Sequence, residues 1–362
     1  LRSVAALPLA LSIALVSALP ARAQDSSPGV GDSAYVAGDY RVYTGAGESA
    51  TIDDIVAAMG DYTVVFVGEA HDDPTGHMLE GELLKRAYEA YAAASAEGED
   101  EGRPLALSLE FFQSDAQPVL DEYLAGLITE SSFRAAARPW PRYETDYREL
   151  IEFSKENGLD VIAANAPRRY TTRVTMHGRE SLDDLPPEAL QWLAPLPYGQ
   201  PSEAYRNQWI AIIQEVMAQQ GMKCGIPAEE LAAATGQEVE APAPVGAHDN
   251  MGNQLHSQVL WDATMAYFMS EYLATNPDAL LMHMVGGFHV ERWTGTPEHL
   301  EAYRPGTKAM VVVLQPVPDV DTFEPAPEGE WGDFVIQTDE SHTLEEIECR
   351  RLLAEVEARA DA

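Results

Sequence analysis

The chain has 362 residues and carries 59 acidic against 23 basic side chains, a formal charge of −36. An apolar share of 46% is ample for a core and excludes a disordered chain. So acidic a surface would repel a nucleic-acid backbone, which excludes nucleic acid as a partner. Only 4 of the basic residues are lysines and 19 are arginines, a balance that suits a salt-adapted surface whose self-repulsion is screened.

At the N-terminus Arg2 precedes an apolar run over 4–19, and Ala21-Arg22-Ala23 comes next with small residues around one arginine. This predicts a secretory signal cleaved after Ala23, hence export to the periplasm or the medium. The run is shorter than a membrane span of about 20 residues. Residues 24–50, rich in Gly, Ser and Asp, predict a loose arm with one short strand near 40–43. The α/β domain is expected over 51–340. Short apolar runs at 63–67, 105–109, 159–163, 280–285 and 309–314 predict strands buried on both faces, hence a mainly parallel sheet flanked by helices. Helical periodicity lies between them at 74–94, 116–127, 143–155, 205–219 and 253–275. Asp73 before Pro74 predicts a capped helix start. Pro- and Leu-dense 181–202 and Ala-Pro-rich 221–250 bracket one of these helices, so 170–255 is expected to leave the sheet as a helical cap. Residues 341–362 predict a charged, peripheral C-terminal helix. Cys224 and Cys349 are too few for a disulfide framework or a Cys-based zinc site. One bridge between them is open in an oxidising compartment, although their surroundings do not argue for it.

The residues just beyond each strand are the informative feature. The run at 63–67 leads into Gly68-Glu69-Ala70-His71, 105–109 into Glu110-Phe111-Phe112-Gln113, 159–163 into Asn165-Ala166-Pro167-Arg168, and 280–285 into Gly286-Gly287-Phe288-His289. Ligands bind open parallel sheets beyond the carboxyl ends of the strands, so one crevice is expected to collect Glu69, His71, Glu110, Asn165, Arg168 and His289. Two imidazoles with two carboxylates, His71, His289, Glu69 and Glu110, are a ligand set for Zn or Mn. A buried carboxylate needs a partner, and Arg168 bridging Glu110 is the structural alternative. His77, one turn into the first long helix, is either a group set behind His71 or an exposed first-turn residue. Tyr143 and Tyr147 either supply an iron ligand or pack in the core. His283, mid-strand among apolar residues, reads as a core imidazole. The G-x-S-x-G elbow, the phosphate loop, the dinucleotide fingerprint and the H-E-x-x-H helix are all missing from the sequence.

Taken in order, eight short motifs resemble one family. They are Gly68-Glu69-Ala70-His71-Asp72, Leu109-Glu110-Phe111-Phe112-Gln113, Leu120-Asp121-x-Tyr123-Leu124-x-Gly126, Trp140 with Tyr147, Asn165-Ala166-Pro167-Arg168, Trp261-Asp262-x-x-Met265-Ala266, Gly286-Gly287-Phe288-His289-Val290 and Gly295-Thr296-Pro297. Over about residues 50 to 315 the chain is similar to the ChaN-like haem-binding, iron-regulated bacterial proteins. These share a superfamily with the TIKI/TraB proteases and the erythromycin esterases. The resemblance implies an α/β fold of the ChaN and erythromycin-esterase type with ligands at the strand ends. It implies haem as cofactor, held in part by tyrosine, for which Tyr143 and Tyr147 are the candidates, with His77, Asn165 and Arg168 nearby. A role in haem or iron uptake, a homodimer and an outer-membrane haem receptor as partner belong to the same implication. Three features depart from the pattern: no lipid-bearing cysteine, a longer linker near 221–250, and Gly-Gly-Phe-His where Gly-x-Gly-His is commoner. The wider superfamily implies the alternative, a metal-dependent hydrolase with Glu69 or Glu110 as general base and His71 and His289 holding metal.

Overall fold

The computed structural model describes residues 38–93, 102–218, 222–235 and 251–360. The expected signal segment and most of the Ala-Pro-rich linker lie outside them. The chain enters through β1 (Tyr40–Thr44) and a two-residue β2 (Ser49–Ala50), then α1 (Ile52–Met59) and β3 (Val64–Glu69). Next come α2 (Pro74–Ala87), continued by a π-helical turn to Ala92, and β4 (Leu105–Gln113). Helices α3 (Gln117–Leu124) and α4 (Glu130–Ala137) lead to a π-helical turn at Tyr143–Tyr147, α5 (Arg148–Asn157), β5 (Asp160–Asn165) and α6 (Arg168–His177). The helical excursion comes next, with α7 (Glu203–Ala218), the small hairpin β6 (Met222–Lys223) and β7 (Ile226–Pro227), and α8 (Ala228–Thr235). The chain returns through α9 (Met251–Thr275) and β8 (Leu280–Gly286), then α10 (Thr296–Tyr303), β9 (Ala309–Val317), β10 (Phe334–Asp339) and α11 (Leu344–Ala360).

Eight strands form one sheet in the order β2-β1-β10-β9-β3-β8-β4-β5. From β10 to β5 all neighbours are parallel, and β1 and β2 close one edge antiparallel. Every β3 and β8 residue is buried, as continuous apolar strands covered by helices on both faces require. On one face Val65, Val67, Leu107 and Met282 meet Leu79, Leu83 and Tyr147. On the other, Val64, Phe66 and Val311 meet Met265, Met269 and Leu273 of α9. His283 is fully buried in β8 with its ring on the Ser108 hydroxyl at 2.9 Å, and burial pushes its pKa down to about 3. It is a core imidazole. The Asp73 cap is present: its carboxylate accepts from Thr75 N at 2.9 Å, with Pro74 in the first turn.

Three features differ from the expectation. The short strand expected near 40–43 is β1, but it is no part of a loose arm: it pairs with β10 over Tyr40↔Thr338 to Thr44↔Phe334 and so joins the sheet. Strand β10 was not predicted at all, since its buried Gln337 and Thr338 break the apolar run. Cys224 and Cys349 form a disulfide. It joins the hairpin to α11 beside a small apolar cluster of Ile226, Leu231 and Leu352. The surrounding sequence is polar because the bridge replaces the core that this corner lacks. Bridging positions 125 residues apart restricts the unfolded chain by on the order of 4 kcal/mol. The Cys224→Ser, Cys349→Ser double variant is therefore expected to release α11 first. Limited proteolysis should cut within α11 (Leu344–Ala360) in the variant but not in the wild type.

Candidate functional site

The carboxyl edge of the sheet carries a cleft whose lining includes Glu69, His71, Glu110, Gln113, Asn165, Arg168 and His289. Trp140, Trp261 and Phe288 supply its aromatic walls. All six residues expected in one crevice are in it.

The first corner is built around Glu69, the last residue of β3 and 2% exposed. Oε1 accepts from His71 Nδ1 at 2.6 Å and from the Tyr147 hydroxyl at 3.1 Å. Oε2 faces His77 Nε2 at 2.5 Å. Burial alone would raise the Glu69 pKa, but the His77 and His71 charges and the His71 hydrogen bond hold it well below the carboxylate range. Burial alone would lower the pKa of His71, yet the hydrogen bond and charge of Glu69, with Glu110 and Asp72 beyond, raise it to about 9. His77 is likewise raised against its burial, by Glu69 and Asp146. Arg142 fastens the loop: Nη2 donates to the His71 carbonyl at 2.7 Å and Nε to Asp146 at 2.6 Å. It does so from a left-handed backbone, φ 67°, the kind of strain that clusters at ligand sites. His71 is 24% exposed by its side chain, packs edge-on against Trp140, and lies over Gly286. A Cβ on Gly286 would come within 2.9 Å of His71 Nε2, so the ring needs glycine there.

The second corner is built around Glu110 and His289. Glu110 Oε2 accepts from Gly286 N at 2.8 Å, and Oε1 stands 3.7 Å from His289 Nε2. His289 Nδ1 bonds Asp262 Oδ1 at 2.8 Å; the same carboxylate accepts from Thr296 Oγ1 at 2.8 Å and from the Tyr205 hydroxyl at 2.5 Å. The His289 pKa is raised against its burial by Asp262 and Glu110. Each imidazole is thus oriented by a carboxylate on Nδ1, and both residues line the cleft.

Several assignments change. Glu69, His71, Glu110 and His289 have paired off as carboxylate–imidazole and carboxylate–amide contacts, and no three His, Cys, Asp or Glu side chains among the described residues converge to hold a metal ion. Arg168 does not bridge Glu110, whose partners are Gly286 N and His289. Tyr143 and Tyr147 are 3% and 2% exposed and do not line the cleft. Tyr147 stacks on Phe111 with centroids 3.8 Å apart, and Tyr143 sits edge-on to Phe112 and Phe133. Burial, reinforced by nearby acids, raises both phenols above their ordinary range. His77 lies behind Glu69 as its second cation and does not reach the cleft. Asp262 and Gln113 were missed as site residues. A lone acid inside the apolar stretch Val259-Leu260-Trp261-Asp262-Ala263 was the available signal for the first.

Fold and cleft together define an α/β protein with a binding site beyond the carboxyl ends of a parallel sheet. The chain belongs to the ChaN family of the Tiki superfamily, described as haem-binding uptake proteins, whose family model matches residues 55–300. Among solved structures, ChaN of Campylobacter jejuni with cofacially bound haem superposes with a TM-score of 0.58 at 14% identity, covering 82% of this chain and 96% of that one. This likeness shows the fold. An erythromycin esterase mutant in its open conformation aligns at a TM-score of 0.39, 12% identity and 83% of each chain, too distantly to carry an argument. Protein RETICULATA-RELATED 5, chloroplastic, of Arabidopsis thaliana is 26% identical over 125 residues, 33% of this chain and 16% of that protein. The chain thus matches a small part of that relative's length. Among the described residues no helix is long and apolar enough to cross a membrane.

The Glu69–His71 pair sets a pH dependence. A raised His71 pKa contributes stability that is full below its ordinary 6.5 and lost as pH rises through about 9. The apo wild type is expected to exceed His71→Gln by on the order of 2–3 kcal/mol at pH 6, a gap that closes above pH 9 in urea melts. Glu80 is fully buried with neither oxygen hydrogen-bonded, and burial beside Glu69 and Asp146 pushes its pKa well up. Glu80→Met is expected to stabilise the fold by about 1–3 kcal/mol in the same assay, because an unsatisfied polar group is removed.

Proposed function

We propose that this protein binds haem in the strand-end cleft and that it is an exported protein serving haem or iron uptake. Membership of the haem-binding family over residues 55–300 carries the reading. The cleft chemistry supports it, since haem needs aromatic walls, a donor for iron and partners for its propionates. Trp140, Trp261 and Phe288 are the walls. His71 is the donor best placed, its Nδ1 held by Glu69 and its Nε2 in the cleft over Gly286. Glu69 fixes the tautomer and orientation of that ring, as carboxylates do for ligating imidazoles, while iron and proton compete for Nε2. Asn165 Oδ1 is buried in the lining without a hydrogen-bond partner, as a group awaiting a polar ligand atom would be. When bound, haem would supply an iron centre, which His71 would help to hold. The signal segment motivates export, and the family motivates an uptake partner such as an outer-membrane haem receptor and a homodimer.

The metal-dependent hydrolase reading finds no support, because the carboxylates such a metal would need are engaged with the imidazoles and the Gly286 amide. Haemin added to purified protein is expected to give a stoichiometric Soret shift. His71→Ala should weaken it by about tenfold or more and change the spectrum, as loss of an axial ligand does. Tyr143→Phe should leave both unchanged. A spectrum insensitive to His71 but altered by Tyr143→Phe would refute this choice of ligand.

A further inference from the structure

The part of the cleft lined by Gln113, Asn165 and Arg168 carries its own chemistry. Gln113 at the end of β4 and Asn165 at the end of β5 are partners in the strand register. Gln113 Oε1 accepts the backbone N–H of Arg168 at 2.9 Å, which leaves the Gln113 amide N–H groups as donors. Arg168 is the first residue of α6, a ten-residue helix that starts after Pro167 with no side-chain cap. Its guanidinium is exposed, lines the cleft and has no acidic partner among the described residues. Nearby arginines have acidic partners: Arg138 and Arg169 share Asp115, and Arg142 holds Asp146.

Asn165 is the independent sign of a ligand. It is 4% exposed, it lines the cleft, and its Oδ1 has no partner. The two ends of an amide exchange by a half-turn about one bond; turned over, Asn165 presents N–H groups to the same space. We propose that Gln113, Asn165 and Arg168, at the positive end of α6, form a carboxylate-binding subsite. Charge-assisted donors and a helix N-terminus are the groups that recognise such an anion. Resting on the haem reading, the carboxylate is a porphyrin propionate, which sets the ligand's orientation: propionate toward β4 and β5, iron toward His71.

Two pairs of probes, titrated into the full-length protein, test this. Haemin and haemin dimethyl ester, with both propionates neutral, are followed by the Soret band. Phenylbutyrate and its methyl ester are followed by tryptophan fluorescence, since Trp140 and Trp261 line the cleft. Wild type is expected to bind each acid about tenfold or more tightly than its ester. Arg168→Ala should bind acid and ester alike, and Arg168→Lys should restore part of the preference. Haemin and its ester bound equally by wild type would overturn the subsite while leaving haem binding intact. Acid preference in the phenylbutyrate pair without any Soret shift would keep the subsite and overturn the haem reading. No preference in either pair would overturn the subsite outright.

Discussion

The buried carboxylate of Glu69 is the constraint on which this corner of the molecule turns. It ends the strand next to the middle of the sheet, where an unpaired charge would cost several kcal/mol. Two imidazoles therefore have to reach it, and both come from the chain just downstream: His71 two residues on, His77 from the first turn of α2. That requirement fixes where α2 can start, which is why Asp73 caps it, itself fully buried and held by the Thr338 hydroxyl at 2.7 Å. It also recruits Arg142 and Asp146 from the π-helical turn, which tie the His71 carbonyl down from the far side. One charge at a strand end has thus ordered a loop, a helix start and a turn from three parts of the sequence.

The Glu110–His289 corner obeys the same rule with a different solution. Here the orienting carboxylate, Asp262, comes from the long helix α9, and it is saturated by Thr296, Tyr205 and His289. Tyr205 belongs to α7, so the helical excursion is anchored to the sheet through the polar site as well as through Trp209 and Phe288. Two carboxylate-held imidazoles thereby face one cleft from opposite corners, their ring orientations set by buried acids.

Much of this was readable in the sequence, and the unreadable remainder has physical causes. The five apolar runs gave the parallel core because strands buried on both faces leave an unmistakable pattern. The strand-end residues Glu69, His71, Glu110, Asn165, Arg168 and His289 were legible because each interrupts such a run at the edge where ligands bind. Pairing was not legible. Whether Glu110 meets Arg168 or His289 depends on the order of β8, β4 and β5 in the sheet, which local pattern does not encode. Tyr143 and Tyr147 had the composition of ligands, but the π-helical turn rotates them inward onto Phe111, Phe112 and Phe133. The disulfide joins positions 125 residues apart, and no neighbouring residue signals it.

An acidic chain with the proposed carboxylate subsite is less paradoxical than the charge of −36 suggests, because the two effects act over different ranges. Repulsion from surface carboxylates farther from the cleft than the Debye length, about 8 Å at physiological ionic strength, is largely screened. The open guanidinium of Arg168 and the amides of Gln113 and Asn165 act at hydrogen-bond contact, where screening is weak and the positive end of α6 adds to them. The proposed ligand, planar and apolar with anionic edges, would meet Trp140, Trp261 and Phe288 as aromatic walls and Arg168 as a local cation, while salt would screen the repulsion that opposes its approach. The acidic surface and the single unpaired cleft arginine are therefore compatible parts of one design, with the cleft supplying at short range what the surface withholds at long range.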